Sequence, residues 1–563
     1  MISRVEQAAD RTSFHQKSPL RKWGVALFFL LLLALGVLLH RDYGISWDEN
    51  TERKTGFFSI CCAMNPGKIP WPVPLKAIGG DCYYGMGFQH LLAGAELLLI
   101  GPRAWNEPDG DHDIWALRHL LTFVFVWCGL IALYFSGRLL WRRPLPALIP
   151  VLLFLLTPRF WAESFYNCKD MACLAAVMIA GYFLLRMMKR PRFVNVVLCG
   201  VAVAFAASTR LIGGALVVAG AAALLTAPGV GAAVRLRLLL TLLAVSALAL
   251  ILFYPIGWSS PAEFFIQAVR YMGSHPWNGR ILFFGREYPA SRVPWHYVPG
   301  WMAVTLPLPL LALFFVGHLR ILPRIFGRDR KKRPAFLRRS TMSFAAFFYL
   351  SLAAVMLCCR TCYNGWRQFY FLAWPMLFIA AEGVLTLLRS KRRAAMRRTA
   401  GIVLGTWLLI TLGWMVYVHP YQNLFFNVLA GAPNGRFELD YWQLASRDAL
   451  RYIARGANAR REVAAVARND TDRHSVYALS DVERGGIALV PEGEFCRYFI
   501  YHFYQQWHPE LGGRPFRVDF PTEVRVAREV GIRSSLFLHP VFVYRIYEFL
   551  PVAGKNRKGA DHE

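Results

Sequence analysis

The sequence is short of acidic residues and of charge in general. It has 35 Asp and Glu against 64 Lys and Arg, a formal net charge of +29, and only 18% charged residues over 563 positions. Soluble domains carry about 25% charged residues. The low charge and the 56% hydrophobic content therefore argue against an ordinary soluble protein. The positive excess by itself would suit a nucleic-acid-binding protein.

The distribution of the basic residues excludes nucleic-acid binding. They cluster in short loops between long apolar runs, which is the positive-inside pattern of a membrane protein. A helix that crosses the hydrocarbon core needs roughly 20 apolar residues, and the run at 24–40 reaches that length once its flanks are added. No small-residue cleavage site follows this run, so we expect a retained helix and not a signal peptide.

Eleven apolar runs predict eleven spans. They lie at 24–40, 115–137, 145–157, 171–187, 194–209, 211–227, 238–256, 296–318, 341–358, 369–387 and 400–418. With residues 1–23 in the cytoplasm, every strongly basic loop falls on the inner side. If the two short runs within 194–227 formed one long helix, the later basic loops would change sides, so the charge pattern rejects that alternative.

We therefore predict an α-helical polytopic membrane protein with about 11 transmembrane helices, its membrane module covering residues 24–419. The first outer loop (41–114) contains an apolar stretch at 85–102 that is too short and too polar to span, and we expect it to form a helix along the interface.

The chain beyond residue 420 has a different composition. A helical pattern at 441–455 is followed by β-like segments at 461–467, 486–490, 495–501 and 540–549. This order predicts a small extracytoplasmic α/β domain over 420–553. We expect the remaining residues, 554–563, to be disordered.

The first outer loop carries an acidic pair at the level of the lipid headgroups. Asp48 and Glu49 stand in RDYGISWDEN (41–50), about eight residues after the first span. Carboxylates at this depth can reach the phosphate of a membrane-bound substrate. The alternative is that they are two solvated loop acids.

Further charged and polar residues converge on the same outer face. They are Arg118, His119, Arg159, Asn167, Lys169, Asp170, Arg210, Tyr363 and Arg367. For Lys169 and Asp170 the alternative is a local ion pair, and for Arg210 it is a side chain that snorkels from a helix end.

This combination predicts a reaction type. An acidic pair can deprotonate an acceptor hydroxyl, which is otherwise a poor nucleophile. Arg and Lys can bind a phosphate-containing donor and stabilise the charge that grows on it as it leaves. A divalent metal could supply the same electrostatic stabilisation, although the sequence shows no HxxxH-type ligand set. No cofactor is implied.

Several motifs resemble those of the GT-C superfamily of membrane glycosyltransferases. RDYGISWDEN looks like its first-loop Asp-Glu motif. The other similar stretches are YYGMGF (83–88), RHLLTF (118–123), PRFWAESFYNCKD (158–170), VPWHYVPG (293–300), YNGWRQFYF (363–371), HPYQNLFFN (419–427) and ELDYW (438–442). They are most similar to those of protein O-mannosyltransferases, lipid A aminoarabinose transferases and a related bacterial group.

The resemblance implies an inverting transfer of a sugar from a polyprenyl-phosphate donor on the periplasmic face of a bacterial cytoplasmic membrane. It implies Asp48 as catalytic base with Glu49 in support, and Asp170 as a second acid. We add Lys169, Arg210 and Arg367 as phosphate ligands from their charge and sidedness.

The remaining candidates are assigned by class. Arg159 and Arg118 are further candidate phosphate ligands. Asn167, Tyr83, Tyr84, His119, His296 and Tyr363 are candidate substrate-binding residues. For His296, beside Trp295, the alternative is an aromatic anchor at the interface.

The identity of the acceptor is left open among a glycolipid, a polysaccharide and a protein. A transporter or lipid flippase would need ionisable residues through the bilayer midplane and two related halves with broken helices, and the sequence shows neither. A non-catalytic membrane scaffold is the third alternative.

Overall fold

The computed structural model describes the chain in twelve segments and single positions. These are residues 19–64, 82–107, 109–274, 277, 279–327, 334–358, 361–388, 394–467, 470–491, 496–503, 522–533 and 540–551. The predicted disordered tail and most of the predicted cytoplasmic N-terminus lie outside these residues.

Apolar helices dominate the first three quarters of the chain, as the long hydrophobic runs predict. They are α1 (Pro19–Leu39), α5 (His112–Trp141), α6 (Pro144–Leu155), α8 (Asp170–Lys189), α9 (Phe193–Thr209), α10 (Ala215–Leu225), α11 (Ala232–Leu252), α14 (Leu308–Phe326), α15 (Ala335–Cys358), α16 (Ala373–Leu388) and α17 (Ala394–Tyr417).

The helical, multi-pass architecture is confirmed. Seven helices of the described chain are long and apolar enough to cross a membrane. An eighth crossing would need α6 and the following α7 (Pro158–Tyr166) to act together across a 76° bend. Three shorter apolar helices occupy the remaining predicted runs. The number eleven therefore stays a prediction.

The first outer loop contains more helix than the sequence analysis predicts. The stretch at 85–102 forms α3 (Gly87–Leu99), followed by the short α4 (Pro102–Asn106). An additional helix, α2 (Glu49–Met64), begins directly after Asp48. Its mixed polar composition gives no apolar run, but Glu49 and Glu52 in its first turn suit the positive end of the helix dipole.

The predicted span at 296–318 is wrong in its boundaries. The chain forms α12 (Pro261–Ser274), a hairpin of β1 (Arg280–Phe283) and β2 (Arg286–Pro289), and then the short α13 (Tyr297–Thr305). Leu306 is extended, and α14 starts only after Pro307. A proline disfavours helical backbone in the residue before it and has no N–H to donate, so the apolar run is broken there.

The most closely packed helix pair is α14 against α16. A Cβ on Gly383 would lie 2.1 Å from the carbonyl oxygen of Leu313, and a Cβ on Gly317 would lie 2.0 Å from that of Ile379. Small residues let two helices approach to backbone contact in this way. Helix α16 directly follows a short helical segment at Arg367–Leu372.

The C-terminal region forms a helix and a mixed sheet. The helix is α18 (Ser446–Ala459), and two short helices, α19 (Asp470–Ser475) and α20 (Asp481–Gly485), follow it. The strands are β3 (Ala464–Ala467), β4 (Ile487–Val490), β5 (Tyr498–His502), β6 (Thr522–Arg533) and β7 (Pro540–Pro551), in the order β4-β3-β5-β7-β6. The first three strands pair in parallel and the last two antiparallel.

The small α/β region is therefore confirmed, with one addition. The predicted helix lies five residues later than expected at its start, and all four predicted strands are present. Strand β6 was not predicted, because its alternating charged and small residues carry little hydrophobic signal. The limits of the C-terminal region as a separate domain, residues 420–553, stay a prediction.

The C-terminal region is bonded to the segment that precedes Asp48. The guanidinium of Arg447 donates to the carbonyl oxygens of Arg41 at 2.5 Å and Tyr43 at 2.9 Å, and also to that of Asp42. Trp414 of α17 donates to the carbonyl oxygen of Arg533 at 2.8 Å. These contacts place α18 and the sheet beside the end of α1.

Candidate active site

Asp48 occupies the turn between α1 and α2. The backbone N–H of Ser46 donates to the Glu49 carboxylate at 2.6 Å, which closes this turn. Glu49 is turned inward, 1% exposed, with its other oxygen 3.0 Å from Nε2 of His119. The Asp48 side chain keeps 21% of its surface exposed. Of the acidic pair, only Asp48 is accessible to a substrate.

Lys169 and Asp170 lie at the N-terminus of α8, where the helix dipole favours an anion. Asn167 orders this turn: its Oδ1 accepts from the Asp170 N–H at 2.8 Å, and its Nδ2 donates to Glu163 at 2.7 Å. Asp170 is fully buried, whereas Lys169 extends outward and pairs with Glu52 of α2. Glu52 is one helical turn after Asp48, so both face the same space.

Arg367 joins the separate parts of the site. Its Nη1 donates to Asp170 at 2.9 Å and to Asp48 at 3.2 Å, and its Nη2 donates to the Tyr441 hydroxyl at 3.0 Å. The guanidinium also lies 4.6 Å from the ring centroid of Trp442. Arg210 pairs with the other oxygen of Asp170. The first, second and later outer loops thus meet at one arginine.

A cavity of about 370 Å³ opens between these groups, within the size range of small-molecule sites. Its lining consists of Trp47, Asp48, Thr51, Glu52, Tyr84, Lys169, Trp277, Tyr363, Arg367, Tyr441 and His474. Five of these were predicted from the sequence: Asp48, Tyr84, Lys169, Tyr363 and Arg367. The Lys169 ammonium lies 4.0 Å from the centroid of the Tyr84 ring, so the aromatic face of Tyr84 contacts the charged group of Lys169.

The charges around the cavity balance. Three cations, Lys169, Arg210 and Arg367, are paired with three carboxylates, Asp48, Glu52 and Asp170. Burial opposes the charged form of Lys169, but the carboxylates of Glu52 and Asp48 outweigh it and raise the pKa of the ammonium above its ordinary value. The lysine is therefore a fixed positive charge.

Two buried acids lie behind Arg367. Glu163 accepts from the Tyr370 hydroxyl at 2.8 Å. Glu438 is 3% exposed and lies beside the backbone of Leu282 and Asn364. Burial raises the pKa of the Glu438 carboxyl to about 8, which favours its protonated form at neutral pH. Glu438 opens the ELDYW motif, which also supplies Tyr441.

Arg118 and Arg159 do not line the cavity. Arg118 is fully buried, 2.5 Å from the carboxylate of Glu96 and 2.7 Å from Oε1 of Gln89, to which it donates. Arg159 donates to the carbonyl oxygen of Phe425 at 3.1 Å. Each is engaged within the protein, away from the space in front of Asp48.

The other predicted residues also lie outside the cavity lining. Tyr83 donates to Gln267 at 2.5 Å. His296 contacts the rings of Phe283 and Trp295 at the start of α13. Asn167, His119, Glu49, Asp170 and Arg210 support the lining from behind, through the contacts given above.

Six lining residues are not among the predicted site residues: Trp47, Thr51, Glu52, Trp277, Tyr441 and His474. For Glu52 a signal existed, because residues four apart on a helix share a face, but it required α2 to be predicted. Tyr441 belongs to the ELDYW motif, but its proximity to Asp48, like that of His474, depends on the docking of the C-terminal region. Within the described residues, no group of three or more His, Cys, Asp or Glu is arranged to hold a metal ion.

Residues 110–258 match the family model described as dolichyl-phosphate-mannose-protein mannosyltransferase. This segment runs from α5 to α11 and includes Lys169, Asp170 and Arg210. It ends before Arg367 and begins after Asp48. A search of curated proteins finds no match.

Three solved structures illustrate the structural likeness. ArnT from Cupriavidus metallidurans, bound to undecaprenyl phosphate, has 14% identity and a TM-score of 0.45 over 82% of this chain and 76% of its own. The Archaeoglobus fulgidus oligosaccharyltransferase has 12% identity and a TM-score of 0.42 over 82% and 62%. The S. cerevisiae Pmt1-Pmt2 protein O-mannosyltransferase complex has 16% identity and a TM-score of 0.31 over 45% and 36%.

The match to the mannosyltransferase family covers less than half of the chain. It lies on the part that holds the second-loop Lys-Asp pair and most of the buried helices. Over these residues the chain is similar to dolichyl-phosphate-mannose-protein mannosyltransferases, which agrees with the predicted resemblance to membrane glycosyltransferases.

Proposed function

We propose that this protein is a membrane glycosyltransferase that moves a sugar from a polyprenyl-phosphate donor to a hydroxyl acceptor, with Asp48 as the general base. The observation that carries the proposal is the cavity itself. It brings one accessible carboxylate, Asp48, next to Lys169 and Arg367 at the end of an apolar helix bundle.

The three predicted acids take different roles in this proposal. Asp48 faces the cavity, and only its Oδ2 accepts a hydrogen bond from the described residues, donated by Arg367. Its Oδ1 is available to accept the proton of an acceptor hydroxyl. Asp170 is fully buried and bonded to Arg367 and Arg210. Asp170 and Glu49 are positioning residues that hold the arginines and the turn.

The reaction is a single displacement. The acceptor oxygen attacks the anomeric carbon while its proton passes to Asp48, and the bond from that carbon to the donor phosphate oxygen breaks. The electron pair leaves with the polyprenyl phosphate, where Lys169 and Arg367 stabilise the new charge. One displacement inverts the configuration at the anomeric carbon.

The proposed side of the membrane follows from the basic loops. The predicted inner loops at 137–144, 186–192 and 235–237 lie at the opposite helix ends from Asp48. We therefore place the cavity on the outer, periplasmic face of a bacterial cytoplasmic membrane, with the C-terminal region on the same side.

The test is Asp48→Asn, measured as transferred sugar on the glycolipids and glycans of a deletion strain by mass spectrometry. We expect transfer to fall by at least about 100-fold, the usual contribution of a general base. The matched control is Asp113→Asn, because Asp113 is an exposed acid near the start of α5 that pairs with Arg103. Full product formation by Asp48→Asn at normal protein levels would instead fit a flippase or a scaffold and refute the proposal.

A further inference from the structure

A second cavity of the described chain, larger than the one at Asp48, lies away from that residue. It measures about 1010 Å³ and is formed by α18, β6, β7 and the segment after α17. Six arginines line it, Arg451, Arg455, Arg460, Arg497, Arg525 and Arg528, against two carboxylates, Asp448 and Glu548. It shares no lining residue with the cavity at Asp48. We call it the arginine pocket.

The carboxylates around the arginine pocket do not neutralise it. Arg451 and Arg455 share Glu483, at 3.0 and 3.4 Å. Arg497 and Arg525 share Glu548, at 3.1 and 2.6 Å. Arg460 and Arg497 share Glu462, at 3.1 and 3.0 Å. With Asp448, four carboxylates therefore stand against the six arginines of the pocket.

Arg528 forms no ion pair within the described part of the chain. Its guanidinium lies 4.5 Å from the centroid of the Tyr452 ring. A positive excess in a concave surface attracts an anion, and arginine forks match the geometry of phosphate.

An apolar groove begins where the arginine pocket ends. His419, Pro420 and Tyr421 line the pocket, and His419 and Gln422 line the groove, which measures about 530 Å³. The other groove residues are all apolar or aromatic: Phe28, Leu31, Leu32, Leu35, Leu39, Leu152, Leu155, Leu156, Trp161, Leu408, Leu412, Met415 and Val416. We call it the apolar groove.

The apolar groove lies between membrane-type helices. Its lining comes from the C-terminal halves of α1, α6 and α17. These are the helix ends that lead toward Asp48 and the C-terminal region. Leu31 is 61% and Val416 79% exposed, and side chains of this kind on apolar helices contact lipid chains and not water.

We propose that the arginine pocket and the apolar groove together bind one anionic membrane lipid, with its phosphate headgroup among the arginines and its hydrocarbon chain in the groove. A soluble anion would use the pocket and leave the groove empty. An uncharged lipid would use the groove without the arginines. Only an amphiphile with an anionic head uses both surfaces that meet at His419. The proposal does not depend on the chemistry at Asp48.

The headgroup half is tested with the full-length protein in phosphatidylcholine nanodiscs, by comparing spin-labelled phosphatidylglycerol with spin-labelled phosphatidylcholine. We expect the wild-type protein to prefer phosphatidylglycerol. Arg528→Gln and Arg455→Gln should each lower this preference by about fivefold, the effect of one basic residue at a membrane surface. Arg473→Gln is the control, because Arg473 is exposed in the same region but outside the pocket. An unchanged preference in both pocket variants would overturn the proposal.

The groove half is tested with Val416→Trp, which fills the groove from an exposed position on α17. We expect phosphatidylglycerol binding to weaken at least threefold, while Val403→Trp, an exposed position of the same helix outside the groove, should have no effect. Inorganic phosphate, added as a competitor, should displace the lipid only weakly, because it cannot use the groove. Displacement by phosphate at equal molar concentration, or no effect of Val416→Trp, would indicate a soluble-anion site and overturn the proposal.

Discussion

At the scale of single residues, the cavity at Asp48 is electrically balanced before any substrate enters it. Lys169 is already paired with Glu52, and Arg367 with Asp48 and Asp170. In the proposed reaction, a donor phosphate would therefore compete with these carboxylates for the cations. Glu52 is the natural competitor, because its carboxylate pairs with the Lys169 ammonium.

Glu52→Gln should make donor binding tighter. The substitution keeps the size of the side chain and removes its charge, so Lys169 becomes available to the phosphate. A hydrogen bond to a charged group contributes about 1.5–3 kcal/mol, and we expect KM for the donor to fall roughly tenfold with a smaller change in kcat. The control is Lys169→Met in the Glu52→Gln background, which should remove the gain. A rise in KM for Glu52→Gln alone would mean that Glu52 contacts the substrate itself.

Glu438 makes the stability of the fold depend on pH. Burial raises the pKa of its carboxyl from 4.5 to about 8 in the folded chain. Between these pH values the folded chain holds a proton that the unfolded chain has released. The stabilisation is complete below pH 4.5 and is lost as the pH rises through 8, by at most about 1.4 kcal/mol per pH unit.

Glu438→Gln should remove this part of the pH dependence. We expect the midpoint of thermal unfolding in detergent to fall less between pH 5 and pH 9 in the variant than in the wild-type protein. Glu462→Gln is the control, since Glu462 is an exposed acid of the C-terminal region. Equal slopes for wild type and Glu438→Gln would contradict the assignment of a proton to Glu438.

At the scale of elements, α14 and α16 approach to backbone contact, and α16 directly follows the segment that carries Arg367. Gly383→Ala would force a Cβ to within 2.1 Å of the Leu313 carbonyl oxygen. We expect a lower unfolding midpoint and reduced transfer, because the helices must separate. Gly405→Ala in α17 is the matched control: a Cβ there meets nothing within 4 Å. Since Ala favours a helix by up to about 1 kcal/mol over Gly, the control should be neutral or stabilising. A neutral Gly383→Ala would contradict the close packing.

Long apolar runs predict the helices of this chain, whereas polar segments do not predict its remaining elements. Every apolar run corresponds to helix, because a long hydrophobic segment in a membrane must satisfy its own backbone hydrogen bonds. The break within 296–318 has a sequence signal, because Pro307 interrupts the apolar run. Helix α2 and strand β6 were missed for a different reason. Their sequences are polar and irregular, and tertiary contacts determine their structure.

At the scale of the whole molecule, Arg447 connects the C-terminal region to the segment that precedes Asp48. Arg447→Met keeps much of the apolar stem and removes three hydrogen bonds to the backbone of residues 41–43. We expect faster hydrogen exchange of amides 41–47 and about a tenfold loss of transfer, because Asp48 is then poorly positioned. Arg473→Met is the control. Normal exchange in the Arg447 variant would mean that other contacts hold the turn.

The charged residues of the site can be predicted from their charge and from the side of the membrane on which their loops lie. Their arrangement around the cavity cannot be predicted in this way. Asp48, Lys169 and Arg367 were selected because each stands in a predicted outer loop, and all three line one cavity. Arg118 also carries a charge and is predicted on the outer face, but it is buried against Glu96. Charge and loop position identify candidates for a site. They do not distinguish a residue that faces the cavity from one that braces the fold.

The hydrogen bonds of Arg367 can form only late in the synthesis of the chain. Its partners lie far apart in the chain: Asp48 is 319 residues away, Asp170 197 and Tyr441 74. A ribosome delivers Asp48 with the first helix and Tyr441 only after the last membrane helix. A nascent or truncated chain can therefore insert most of its helices and still lack a working centre. Under the proposed function, we expect transfer to begin only when the region after residue 420 has docked and Tyr441 has reached Arg367.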